Sequence, residues 1–294
     1  MDRQIGVTRG YSSGMPDDIF ARRIVYSVHG MDGVETRRDL AFADGEELRM
    51  DLYTPSGARK RRPGVVFVHG GPIARGSAPK DWGVFRSYGK LVAASGFIGI
   101  TFNHRYHAPA DVSTAEADVR AAVDFVRTNA DQLDVDRDRL ALWAYSGGGP
   151  LISWVLRESS PHIRCVISYY AVLDLQQVPG PLPPGVTLDV LRHYSPVAHL
   201  RDTTDRSRRL FVARSGRDNP WLNGTVDRFV GEAMDANLVV EVMTHPNGQH
   251  GFDSLDSDDR SREIIVRTIE VLRTSFGASE ESAGRSALGP QVPG

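Results

Sequence analysis

Leu140-Ala141-Leu142-Trp143-Ala144-Tyr145-Ser146-Gly147-Gly148 is the stretch on which the fold turns. Its first part is an uncharged run, apolar enough to be buried on both faces as the strands of a parallel sheet are. The run stops at Ser146, and a helical pattern resumes from Leu151 to Leu156, so the serine falls on a strand-to-helix turn. A turn that tight leaves no room for large side chains two positions before and two positions after the serine. Ala144 and Gly148 keep both places small. A serine held there projects its Oγ above the sheet, near a helix N-terminus that stabilises an anion. Pro150 falls in the first turn of that helix, where a missing N–H costs little. Taken alone, the pentapeptide fits a glycine-rich phosphate turn, or mere tight closure, equally well.

Outward from this point similar, mainly apolar runs recur. Val65 to Val68 and Phe97 to Phe102 precede it; Ile163 to Ile167, Leu210 to Ala213 and Leu238 to Met243 follow. Helical patterns lie between them over Ala115 to Asn129, Thr225 to Ala236 and Arg260 to Phe276, the first with Val119, Ala122, Val123 and Val126 on one face. Buried strands alternating with amphipathic helices predict a mostly parallel sheet with helices on both faces. Nearer the N-terminus, Ile24 to Tyr26, Arg38 to Phe42 and Leu48 to Tyr53 read as strands. The last alternates apolar and polar residues like a half-exposed antiparallel strand, and Asp44-Gly45 reads as the hairpin turn before it. Residues 173–200, with Pro179, Pro181, Pro183, Pro184 and Pro196, are expected to make a lid-like excursion over the sheet edge. Residues 1–22 read as an N-terminal arm or partial cap, 23–276 as one α/β domain, and 277–294 as a disordered tail.

His69-Gly70-Gly71 ends the strand expected beside the serine strand, where backbone N–H groups form an oxyanion hole. Pro72 cannot donate, so the expected donors are Gly70 or Gly71 together with Gly147. His69 is read as orienting this loop rather than as a reacting group.

With these residues in hand, the sequence resembles an α/β-hydrolase of the esterase/lipase group, nearest the hormone-sensitive-lipase-like and feruloyl-esterase-like carboxylesterases. The likeness runs from Leu48 to Phe276 and includes Asn103-His104-Arg105-Tyr106, Ala117-Asp118-Val119 and Asp136-Arg137-Asp138-Arg139. It implies the α/β-hydrolase fold, with antiparallel N-terminal strands on a mostly parallel central sheet. The family's acid follows the next-to-last strand, here Asp218, and its histidine begins a His-Gly-Phe segment, here His250. The implied triad is therefore Ser146, Asp218 and His250, in the family's order. Two departures stand out: Ala144 replaces the usual elbow glycine, and Pro72-Ile73 replaces a third glycine or an aromatic. His-Gly-Gly-Pro occurs also in prolyl-peptidase-like hydrolases, which leaves the subfamily open.

Among rival residues, His245 lacks the following Gly-Phe, Asp227 and Asp253 read as surface carboxylates, and His104 and His107 as pocket or surface residues rather than metal ligands. Tyr145 and Trp221 are expected to bind substrate. Tyr106 and Phe252 are further candidates for aromatic walls, with ordinary core packing equally open for each. Arg75 reads as solvated.

Bulk composition narrows the partners. Against 35 Lys and Arg stand 37 Asp and Glu, a formal net charge of −2, which gives no electrostatic reason for a nucleic-acid partner. The basic stretches Arg59 to Arg62 and Arg206 to Arg209 read as solvated loops. A single cysteine, Cys165, permits no intrachain disulfide. No apolar run approaches a membrane span, and a cytoplasmic enzyme without cofactor or metal is expected. Oligomeric state leaves no trace in the sequence. Three functions follow: a carboxylic-ester hydrolase on a small or medium-sized substrate, an amidase or peptidase on the same triad, or a silent ligand-binding protein of this fold.

Overall fold

A computed structural model describes residues 20–57, 61–182 and 184–277. The expected arm up to residue 19, Arg59-Lys60 of the first basic stretch, and the tail beyond Gly277 lie outside them. In chain order the elements are β1 (Glu35–Ala41), β2 (Arg49–Thr54), β3 (Arg62–Val68), α1 (Gly83–Ala94), β4 (Ile98–Phe102), α2 (Val112–Thr128), β5 (Val135–Tyr145), α3 (Trp154–Arg157), β6 (Ile163–Tyr169), α4 (Leu188–His193), β7 (Arg209–Ser215), α5 (Pro220–Asp235), β8 (Val240–His245), α6 (Phe252–Leu255) and α7 (Asp259–Phe276). The strands form one eight-stranded sheet in the order β1-β2-β4-β3-β5-β6-β7-β8. β2 pairs antiparallel with both β1 and β4, and every pair from β4 onward is parallel.

The period of two along each buried strand sorts its side chains between two cores. Val66, Leu142, Val166 and Val212 meet Val119, Val123 and Val126 of α2 and Val226 and Phe229 of α5 on one face. Phe67, Trp143, Ile167 and Phe211 meet Phe85, Tyr88 and Leu91 of α1 and Ile264, Ile265 and Ile269 of α7 on the other. Each fully buried aliphatic or Phe side chain stabilises the fold by about 1.5–3 kcal/mol. The two edge strands are the exceptions to two-sided burial: no residue of β1 is buried, and Val242 of β8 is exposed.

Four sequence expectations need correction. Ile24 to Tyr26 form no strand, although Ile24 is buried and Val25 donates its N–H to the Asp253 carbonyl at 2.8 Å. β2 is not half-exposed: it is an interior strand, and its polar Asp51 is buried. Buried Lys80 lies 3.2 Å from the Asp51 carboxylate, 2.7 Å from that of Asp39 and 3.0 Å from that of Asp81. Burial works against the charge on Lys80, but these carboxylates outweigh it and hold its pKa above the ordinary lysine value. The third correction falls on Arg208, which is buried rather than solvated and donates to the carbonyls of Ile163, Val155 and Ser160. It ties the loop before β7 to the start of β6. Last, the helix after Ser146 begins as a 3₁₀ segment, Ser146–Ile152, and only the short α3 is α-helical.

Candidate active site

Ser146 sits at the C-terminal end of β5 with φ of 51°, a left-handed conformation costly for a residue with a side chain. The surrounding backbone holds it there: Val172, beyond β6, donates its N–H to the Ser146 carbonyl at 2.9 Å. The small residue at position 148 is required, although the crowding comes from the neighbouring strand rather than from within the turn. A Cβ on Gly148 would stand 2.6 Å from the His69 carbonyl oxygen. A Cβ on Gly147 would stand 1.9 Å from the Gly71 oxygen. Only because both positions lack a Cβ can the 3₁₀ segment lie this close to the loop that leaves β3.

His250 lies in the turn between β8 and α6, and Asp218 in the turn between β7 and α5. The two turns are stitched together: Gly216 donates to the His245 carbonyl at 2.8 Å and Arg217 to the Gly248 carbonyl at 2.9 Å. His250 Nδ1 is 2.7 Å from Asp218 Oδ2, and Nε2 is 2.9 Å from Ser146 Oγ. A carboxylate accepts only, so Nδ1–H donates to Asp218 and the serine hydroxyl donates to Nε2. Asn219 N–H donates to the other Asp218 oxygen at 2.7 Å, and the Asp218 side chain is 3% exposed, so its charge is held in place and shielded from water. The three residues singled out from the sequence thus form one hydrogen-bonded line.

Gly70, Gly71 and Gly147 line the same cavity as Ser146. Among the described residues no acceptor takes the N–H of Gly70 or Gly71. Gly147 stands at the second position of its 3₁₀ segment, where the helical ladder supplies no acceptor. His69 supports this loop as expected. Its Nδ1–H donates to the Gly70 carbonyl at 2.7 Å, Nε2 accepts the His104 N–H at 3.3 Å, and the ring stacks on His104 with centroids 3.5 Å apart. Burial first, and the neighbouring histidines second, push the His69 pKa well below its ordinary value; the Gly70 carbonyl opposes them only in part. His104 is held down to about 3, again chiefly by burial, so this stacked pair is neutral. That corrects the view of His104 as a pocket or surface residue. His107 donates through Nδ1 to the Ile73 carbonyl at 3.2 Å. Among the described residues no cluster of His, Cys, Asp or Glu could hold a metal ion.

The cavity measures about 640 Å³. Tyr145 and Trp221 both line it, as does Tyr106, whereas Phe252 is wholly buried behind it and stacks on Tyr169. Val178, Pro181, Leu182 and Val186 of the proline-rich excursion form part of its wall. Arg75 is exposed and outside the lining, as expected. His245 turns away from the site: it is buried, and its Nε2 lies 3.1 Å from Asp258 and from Ser261 at the start of α7. Asp227 is a surface residue paired with Arg214. Asp253, expected at the surface, is instead wholly buried, with its carboxylate between two tyrosine hydroxyls. No charge pattern in the sequence distinguishes it; the only clue is its place directly after Phe252.

Residues 50–181 match the BD-FAE family model. Isoprenylcysteine alpha-carbonyl methylesterase ICME of Arabidopsis thaliana is 29% identical over 126 residues, covering 43% of this chain and 29% of the relative. Gut esterase 1 of Caenorhabditis elegans is 28% identical over 146 residues, covering 46% and 25%. The chain thus spans less than a third of the length of these relatives. Among solved structures, the butyrate-bound Est2 esterase of Thermogutta terrifontis superposes with a TM-score of 0.65 at 20% identity, covering 85% of this chain and 97% of that one. Esterase B of Lactobacillus rhamnosis superposes with a TM-score of 0.69 at 13% identity, covering 87% and 90%. The chain therefore has the α/β-hydrolase fold, and the proteins it is similar to in sequence and in structure are esterases.

Proposed function

We propose that the protein hydrolyses carboxylic esters of small or medium-sized substrates, with Ser146, His250 and Asp218 as its catalytic triad. The observation that carries this is the continuous hydrogen-bonded line from Ser146 Oγ through the imidazole to the Asp218 carboxylate. As Oγ attacks the ester carbonyl, its proton passes to His250 Nε2 and the carbonyl electron pair moves onto oxygen. Asp218 keeps the tautomer and stabilises the imidazolium. The N–H groups of Gly147 and of Gly70 or Gly71 receive the oxyanion. Collapse of the tetrahedral species expels the alcohol, which takes the proton from Nε2 and leaves an acyl-serine. Water then repeats the steps and releases the acid.

The cavity supports a substrate with apolar parts, since Tyr145, Trp221 and the Val178–Leu182 stretch form its walls. One hydrolase domain over residues 23–276, with residues 173–200 as a lid-like wall, fits this arrangement. A cytoplasmic setting fits the one cysteine, which is buried and unpaired. Among the described residues no helix is long and apolar enough to cross a membrane.

The test is hydrolysis of p-nitrophenyl esters from acetate to decanoate by wild type and Ser146→Ala in parallel. Ser146→Ala is expected to lose about 10⁴-fold or more in kcat while remaining folded. Retention of most activity would sink the assignment, and silence of the folded wild type would turn the proposal toward an amidase or a binding protein.

A further inference from the structure

Behind the imidazole lies a buried carboxylate that the hydrolytic mechanism does not use. Asp253 opens no path to solvent, and among the described residues no Lys or Arg pairs with it. Instead Tyr170 donates its hydroxyl to Oδ1 and Tyr88, from α1, donates to Oδ2, each at 2.7 Å. Tyr145 and Tyr169 complete the surrounding aromatic wall: their rings meet Tyr88 at 5.5 and 6.5 Å and Tyr170 at 6.2 and 6.1 Å. Desolvation disfavours a charge in such a place, and the two hydroxyls offset this only in part, so the carboxyl titrates above the ordinary range. A buried acid is disfavoured unless something is gained by its position.

The position is informative. Tyr170 follows β6 directly and has φ of 38°, again a left-handed conformation for a residue with a bulky side chain. Its backbone N–H is tied to the Ala213 carbonyl at 2.8 Å, its hydroxyl to Asp253, and its ring rests against His250 with centroids 4.7 Å apart at 57°. Phe252 also packs edge-on with that ring, with centroids 5.7 Å apart. Asp218 fixes one ring nitrogen of His250, and Tyr170 bears on the ring itself.

Building on the triad assigned above, we propose that Asp253 is a positioning residue: through the Tyr170 hydroxyl it pins the Tyr170 ring against His250 and so fixes the imidazole for proton transfer from Ser146. At pH values above its raised pKa, its negative charge also favours the imidazolium that forms as the serine attacks. Among the described residues, Ser146, Asp218 and Tyr170 face His250, with Asp253 behind Tyr170. Those facing Asp253 are Tyr88, Tyr145, Tyr169, Tyr170 and His250.

The experiment compares Asp253→Asn, Tyr170→Phe and Tyr88→Phe in the full chain, with Ser146→Ala as control, by kcat, KM and the pH profile of kcat/KM on a p-nitrophenyl ester. Tyr170→Phe keeps the ring and removes its tether; kcat is expected to fall about tenfold with KM within twofold. Asp253→Asn removes the charge, so the base needs a lower pH to become protonated; the acidic limb is expected to move about half a pH unit downward. Tyr88→Phe removes the donor to the other carboxylate oxygen and leaves the Tyr170 tether in place, so it should lower stability and leave both readouts near wild type. A merely structural Asp253 would lower thermal stability in all three variants and leave the kcat-to-KM split and the acidic limb where they are, which overturns the inference while the triad stands. Activity surviving in Ser146→Ala overturns both.

Discussion

Asp253 is the residue whose titration most clearly belongs to the fold. Its pKa is raised in the folded chain by burial, against which the Tyr170 and Tyr88 hydroxyls act only in part. The native state therefore holds its proton at pH values where the unfolded chain, titrating near 3.8, has released it. Stability associated with this group is present at low pH and is lost as the pH rises through the folded pKa. Urea unfolding of wild type and Asp253→Asn from pH 4 to pH 7 should show wild type losing ground to the variant as pH rises; parallel curves would contradict it. The two histidines flanking the last turn make a second contrast. His250→Ala should remove nearly all turnover. His245→Ala should leave kcat close to wild type and cost about 1–3 kcal/mol of stability, because Ser261 and Asp258 lose a buried partner. An inactive His245→Ala in folded protein would overturn this division.

At the scale of elements, the site depends on how closely the 3₁₀ segment after β5 approaches the loop after β3. With the Gly71 oxygen 1.9 Å from any Cβ at position 147, Gly147→Ala must push the two backbones apart. These backbones carry the proposed oxyanion donors, so kcat should fall by about 10²–10³-fold. A stability loss alone, with kcat intact, would show that the donors lie elsewhere. The N-terminal side of the sheet rests on a different device. Lys80 is 3% exposed and stands over Asp51, which is itself 0% exposed on an interior strand. Lys80→Met leaves that carboxylate buried without its cation and should cost about 3–5 kcal/mol in chemical unfolding. Lys80→Met combined with Asp51→Leu should recover part of the loss; an additive double variant would show that the two residues are not coupled.

Across the whole molecule, the parallel strands were legible because burial leaves a mainly apolar run, Ser146 because it follows such a run directly, and the other two members of the proposed triad because the family resemblance points to the turns after two later strands. The elements that escaped did so for identifiable reasons. α1 carries Phe85, Tyr88, Leu91 and Val92 on one face, but Gly83 and Gly89 lower its helix propensity. Those glycines are needed for close packing, since a Cβ at 89 would meet the Tyr53 ring at 2.3 Å. Asp51, Arg208 and Asp253 read as surface residues because charge dominates a local pattern, whereas the partners that bury them lie far away in sequence: Lys80 for Asp51, Ile163 and Val155 for Arg208, Tyr88 and Tyr170 for Asp253. The cavity is likewise a property of the whole chain, since its walls come from the loop after β3, the start of α5 and the proline-rich excursion. Leu182, on that excursion, lines the cavity while remaining 45% exposed, so a change there alters the wall with little effect on the core. A carboxylate at this position must be desolvated, or the apolar substrate held off it, before a long acyl or alcohol group can bind. Leu182→Asp is therefore expected to raise KM for octanoate esters by about tenfold with kcat largely retained and acetate hydrolysis unchanged, because binding away from the reacting atoms is lost equally from ground state and transition state. Equal losses on acetate and octanoate would show that the excursion acts on the triad itself, and no change on either would remove it from the substrate's path.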